Sequence, residues 1–305
     1  MSSILEVLAS LKEFSTAATL LVMLSLPSFD ALREICNIPG VHLPMRLLPT
    51  EHFKTIALSI AQNQAGPEIW SDMYTLLKAR TRDPGPPAVP TAASGLSGDA
   101  EFHIHEVEIF EETLGMLEDW HEKIIPVMLF RQQQEQRIKC PSRKPNRVLK
   151  LSGPTPTRSE LIPLDKAILR YWTILLASVP EACTLNRSIG RYSKRQGGYA
   201  LRVARYARAS DPEKMRHYMR NFTNAEWAFE VFKGADKDEI RAVLEVSRLC
   251  AKTGLGHLEE IVETVEYDAP NGVKGSRVEF LVMEIANVHL KHVARSLGVK
   301  VDWRE

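Results

Sequence analysis

Apolar positions recur along most of this chain at intervals of three and four residues, the spacing of helices with one face turned inward. Over 2–26 the pattern runs through Ile4, Leu5, Val7, Leu8 and Leu11 into an apolar run at 17–26 that breaks before Pro27. Ser28 has the chemistry to cap a short helix through Ile38, stopped by Pro39-Gly40. Thr50 opens another. After Pro67, placed where a first helical turn tolerates proline, Ile69, Trp70, Met73, Leu76 and Leu77 predict the next.

From Glu106 to Arg137 the spacing predicts one long helix, bent where Pro126 removes a backbone donor. Leu164–Val179 reads as an apolar helix ended by Pro180. Beyond it come capping-box patterns at Ser210/Glu213 and Thr223/Glu226, a helix from Asp236 to Gly254 and another from about Gly256. An amphipathic helix over 277–297 closes at Gly298. Val262–Tyr267 alternates in the manner of a strand but ranks below helix. The fold class expected is all-α, a multi-helix array of two lobes.

Two stretches interrupt the periodicity. Residues 83–99 hold four prolines and three glycines, a linker or loop. Residues 140–160 are proline-rich and basic, and are expected to be flexible. The resulting division is an N-terminal helical lobe at 1–82, the 83–99 linker, a long acidic-to-basic helix at 100–139, the basic segment at 140–160, and a C-terminal helical lobe at 161–305.

With 305 residues, 44% of them apolar, the chain can bury a sizeable core. Its apolar run at 17–26 is about half the ~20 residues that a bilayer requires, so no membrane partner is expected. Cys36, Cys140, Cys183 and Cys250 form no C-x-x-C pair, which argues for reduced thiols and an intracellular setting.

Charge changes the picture. The formal net charge of +1 conceals three blocks. Residues 99–122 carry nine acids and no Lys or Arg; 131–158 carry eight Lys/Arg and one acid; 187–220 carry ten Lys/Arg and two acids. Tyr192, Tyr199, Tyr206 and Tyr218 are set among the last group. On a helical projection of 199–208, Ala200, Val203, Ala204 and Ala207 share a narrow face, Arg202, Arg205 and Arg208 the opposite one, and Tyr199 and Tyr206 the border. Guanidinium forks suit phosphates and phenol rings suit stacking. Lys194 and Arg195 stand just before Gly197-Gly198, where free backbone amides would favour an anion.

The residues expected to meet nucleic acid are therefore Lys194, Arg195, Arg202, Arg205 and Arg208 for phosphate and Tyr199 and Tyr206 for bases or sugars. Lys214, Arg216 and Arg220 form a second line. The 131–158 block fits a disordered basic tether beside them.

Catalytic chemistry finds no footing. There is no G-x-S-x-G, no Walker loop and no G-x-G-x-x-G, and Glu111-Glu112 and Glu259-Glu260 diverge on a helix. His103 and His105 share a face only in an extended chain, while their segment leads into a helix; His289 and His292 are expected on a helix surface. No metal and no cofactor are expected. The tryptophans Trp70, Trp120, Trp172 and Trp227 are expected in the core.

The sequence thus points to a non-enzymatic, sequence-independent nucleic-acid-binding protein of nucleocapsid-like type, with RNA favoured over DNA and self-association expected. Its rival is a helical scaffold or regulatory protein whose basic face meets an acidic protein surface, including its own 99–122 block in a second copy.

Overall fold

A computed structural model describes residues 16–37, 50–80, 104–137, 148–191, 231–253 and 276–299. Among these residues the protein is all-α: eight helices and no strand. In order they are α1 (Thr16–Leu24), α2 (Phe29–Cys36), α3 (Thr50–Ala65), α4 (Trp70–Arg80), α5 (Ile104–Arg137), α6 (Arg158–Arg191), α7 (Lys237–Thr253) and α8 (Ser276–Ser296). None of them is long and apolar enough to cross a membrane. The chain divides into two compact units, Met1–Leu77 with Ala88–Gly115, and Lys78–Pro87 with Met116–Glu305. One boundary of that division, between Gly115 and Met116, falls inside α5.

In the first unit α1 and α2 pack on α3. The reversal between α1 and α2 leaves backbone groups that side chains of α3 satisfy. Ser59 Oγ donates to the Leu24 carbonyl (2.8 Å), Asn63 Nδ2 donates to the carbonyls of Leu24 and Leu26 (3.1 and 2.9 Å), and the Phe29 amide donates to Gln64 Oε1 (3.2 Å). Ser28 caps α2 as expected, its Oγ accepting from the Ala31 amide at 3.2 Å. An aromatic cluster joins the elements: Phe29 meets Phe110 edge-on at 5.9 Å, and Trp70 lies 6.5 Å from Phe110.

In the second unit α6 is the centre, with α7 and α8 packed on it and on each other. From Ala167 to Leu176 every residue of α6 is buried, the mark of a helix covered all round. The extent of the helix departs from the sequence reading. The helix was expected to run from Leu164 and stop before Pro180, yet it spans Arg158–Arg191. Proline removes one hydrogen bond and crowds the carbonyl four residues back, a cost of about 3 kcal/mol. Pro126 is likewise accommodated within α5, on an exposed position.

One hydrogen-bonded chain ties the three helices together. The Tyr171 hydroxyl on α6 bonds Ser247 on α7, whose Oγ donates to Asn287 Oδ1 on α8 at 2.9 Å. Burial pushes the Tyr171 phenol far above its ordinary range and the neighbouring Cys250 thiol up to about 12. These groups hold the core and stay protonated. Cys36 and Cys250 are thiols.

α8 ends at Gly298 as the sequence suggested. The Val299 amide reaches the Ala294 carbonyl (2.7 Å) and the Gly298 amide the Arg295 carbonyl (3.0 Å), with Gly298 at φ +69° and Val299 buried. This is a Schellman stop, which needs a left-handed residue. A Cβ there would meet Lys237 Nζ at an ordinary 3.7 Å, so the penalty for a side chain is conformational alone. Gly298→Ala is expected to cost about 1 kcal/mol in chemical denaturation.

Candidate nucleic-acid interface

All ten residues expected to contact nucleic acid (Lys194, Arg195, Tyr199, Arg202, Arg205, Tyr206, Arg208, Lys214, Arg216 and Arg220) lie outside the described residues. So do the caps expected at Ser210/Glu213 and Thr223/Glu226, the 83–99 linker, the helix expected from Gly256, and Val262–Tyr267. What the structure does place are the two points from which the basic stretch departs and to which it returns. It departs from α6, which stays helical to Arg191. It returns at Val231 and Phe232, both buried.

The return point is built around Arg170 of α6. Its guanidinium lies 6.0 Å from the centre of the Phe232 ring, a cation–π arrangement. Four residues on, Asp236 and Glu239 form a reciprocal capping box. Asp236 Oδ1 accepts from the amides of Asp238 and Glu239 (2.8 Å each), and Glu239 Oε2 accepts from the Asp236 amide at 3.2 Å. Glu239 also takes Lys166 and, at 3.1 Å, Arg170. Partial burial pushes its carboxyl upward, but the hydrogen bonds and charges of Lys166 and Arg170 together outweigh that and leave it below its ordinary range. Arg170 and Arg191 are separated by roughly 30 Å of helix at about 1.5 Å per residue. The chain therefore leaves α6 at Arg191 and meets it again through Phe232, at well-separated points.

Glu239→Gln keeps the capping geometry and removes the charge facing Lys166 and Arg170. Buried pairs cost more than this when broken, but the Glu239 side chain is 27% exposed, which screens the interaction. The expected loss is about 2 kcal/mol, read as a lower denaturation midpoint at neutral pH and partly masked by high salt.

Acids able to neutralise a basic stretch are partly committed elsewhere. In the first unit Glu111 pairs with Arg33 at 2.5 Å, and Arg33 also pairs with Asp30. Glu106 is buried. In the second unit Asp165 holds His121 at 2.5 Å. Glu118, Asp119 and Glu122 of the same acidic block are exposed.

Of the expected tether at 131–158, residues 138–147 lie outside the described residues, and the rest requires correction. Residues 131–137 are the last turns of α5, and 148–157, although irregular, are bound to the second unit rather than loose. Glu245 of α7 accepts from the amides of Val148 (2.9 Å) and Leu149 (3.3 Å). The amide of Gln132 on α5, oriented to match, donates to the Leu151 carbonyl (3.0 Å) and accepts from the Leu151 amide (3.1 Å). Glu160 accepts from the Ser152 amide (2.7 Å) and its hydroxyl, and from the Thr157 amide (2.8 Å) and hydroxyl (2.9 Å). These bonds, the Ser152 hydroxyl foremost, hold the Glu160 carboxyl down to about 2. Leu149 and Leu151 are buried. The helix that follows opens at Arg158, so 158–160 belong to it and not to a flexible segment.

Sequence reasoning missed these contacts, although one signal was present. Thr157-Arg-Ser-Glu160 has the spacing of a helix start. Nothing local marks Gln132 or Glu245, whose partners lie 19 and about 96 positions away in the chain.

Histidine placement differs in part from expectation. His289 is 1% exposed rather than at a helix surface, because α8 is buried on nearly every face between Ile285 and Ala294. His103 and the side chain of His105 lie outside what the structure describes. Among the described residues no group of three His, Cys, Asp or Glu is arranged to hold a metal ion. Trp70, Trp120 and Trp172 are core residues, as expected, and Trp227 lies outside the described residues. Compared with protein-family models, curated proteins and solved structures, the chain matches none.

Proposed function

We propose that this chain is a non-enzymatic nucleic-acid-binding protein of nucleocapsid-like type that grips phosphates without reading sequence, with RNA favoured over DNA. The observation that carries the reading is the composition of 187–220, ten Lys/Arg against two acids with four tyrosines interleaved. The anchoring of the flanking chain on α6, at Arg191 and at Phe232, supports it. A segment between two anchored points of the chain loses less entropy on meeting a ligand than a free tail would. The internal engagement of Glu111, Asp165 and Glu239 supports it further, since acids already paired have less to offer the basic block.

Phosphate contacts are assigned to Lys194, Arg195, Arg202, Arg205 and Arg208, stacking to Tyr199 and Tyr206, and outer contacts to Lys214, Arg216 and Arg220. The test is the 260/280 absorbance ratio of protein purified at low salt. A raised ratio that falls with nuclease or with high salt is expected. Clean protein that also ignores added single-stranded RNA and DNA overturns the reading. Clean protein whose oligomer dissolves with salt would transfer the basic face to an acidic protein partner.

A further inference from the structure

Of the 18 prolines in the chain, one follows a serine or threonine: Pro156, next to Thr155. This pair lies in the irregular run that leads into α6, where the backbone forms neither helix nor strand. The run is fastened at two points by one side chain, because Glu160 takes the amide and hydroxyl of Ser152 and those of Thr157. Between those points, from Gly153 to Pro156, no hydrogen bond holds the chain among the described residues. Thr155 is exposed and its hydroxyl has no partner among them. The other hydroxyls nearby are engaged. Those of Ser152 and Thr157 are donated to Glu160, and Ser159 Oγ lies 3.0 Å from Thr157 Oγ1 in the first turn of α6. Thr155 therefore carries the one hydroxyl of 152–159 that is both exposed and uncommitted.

We propose that Thr155 is a phosphorylation site for a proline-directed protein kinase, with ATP as the phosphoryl donor. Proline at the following position has a fixed φ and no N–H. A kinase cleft without an acceptor for that amide takes proline at no loss, whereas any other residue leaves a donor unsatisfied there. Arg158, exposed three positions on, adds a cation that an acidic cleft can read. A kinase must draw the acceptor into its own cleft, and 153–156 can be drawn without breaking a hydrogen bond of the fold. In the step itself Thr155 Oγ1 attacks the γ-phosphorus of ATP. The bond from that phosphorus to the β,γ-bridging oxygen breaks, ADP leaves, and the hydroxyl proton passes to the catalytic aspartate of the kinase. The product adds about −1.5 to −2 charges at pH 7 to a block, 131–158, that holds eight Lys/Arg against one acid. This proposal stands apart from the assignment of the basic stretch, and either can fail without the other.

The full-length folded chain, first treated with phosphatase, is incubated with a purified cyclin-dependent kinase and Mg-ATP, and phosphate is located by peptide mass spectrometry. One phosphate per chain is expected, on Thr155. Thr155→Ala should take none. Pro156→Ala keeps the hydroxyl and should be labelled at least tenfold more slowly. Thr155 makes no hydrogen bond in the fold, so its variant should match the parent in far-ultraviolet dichroism and in urea midpoint. A synthetic peptide of residues 150–161 sets the rate of an unrestrained acceptor, and the folded chain should come within tenfold of it. A folded chain left unlabelled, or labelled less than a tenth as fast as the peptide, would overturn the proposal. So would phosphate on another hydroxyl with Thr155 unmodified, or a Pro156→Ala variant labelled as fast as the parent.

Discussion

Replacing Arg202, Arg205 and Arg208 together by Glu is expected to lower affinity for single-stranded RNA by 100-fold or more at about 0.1 M salt. Binding without sequence readout derives from phosphate neutralisation and release of condensed counterions, so each lost contact reduces the slope of log K against log salt by about 0.7 for a single strand. Three lost contacts should flatten that slope by about 2, and the inserted carboxylates add repulsion that widens the loss at low salt. Fluorescence anisotropy across a salt series reads both quantities. The matching variant in tyrosine, Tyr199→Ala with Tyr206→Ala, separates stacking from charge. It should weaken binding by about 1–3 kcal/mol per base released while leaving the slope nearly unchanged. A triple Glu variant with unchanged affinity and slope, and with helix content equal to that of the parent, would remove these arginines from any nucleic-acid contact.

Helix type was largely legible in the chain because local chemistry decides it. Ser28, Asp236 with Glu239, and Gly298 each satisfy helix ends with neighbouring atoms, and each stands where the local pattern places it. Pro180 shows the limit of that logic. Its local preference is to end a helix, yet α6 continues through it to Arg191. Within the 140–160 segment, the described residues 148–160 depart from expectation because their partners are distant in the chain. Prolines and basic residues are the local signal, whereas Leu149 and Leu151 find their sockets through Glu245 and Gln132, which no window around them contains. His289 was misjudged because a histidine pair on an amphipathic helix resembles a surface until the helix is found buried. For the candidate site, charge and aromatic interleaving are visible in composition. Composition does not tell which side chains converge on one ligand.

Trp172→Ala is expected to be the most damaging single core substitution in the second unit, at about 3–5 kcal/mol. Trp172 is 1% exposed at the centre of α6, and Trp120 of α5, 2% exposed, meets it edge-on with ring centres 5.0 Å apart and planes at 88°. The truncation leaves a cavity where α5 is fixed to α6, and the rigid helices around it can collapse only in part. Trp172→Phe should behave differently. Among the described residues neither indole N–H of this pair has a hydrogen-bond partner. A buried donor left unsatisfied costs about 1–3 kcal/mol, and phenylalanine removes one while retaining an aromatic edge for Trp120. Its volume loss and that relief offset one another, so the Phe variant should lie within about 2 kcal/mol of the parent. The two variants are compared by urea denaturation, followed through the remaining tryptophan fluorescence and through far-ultraviolet dichroism. A Phe variant as unstable as the Ala variant would mean that indole shape, and not simply an aromatic contact, holds α5 against α6.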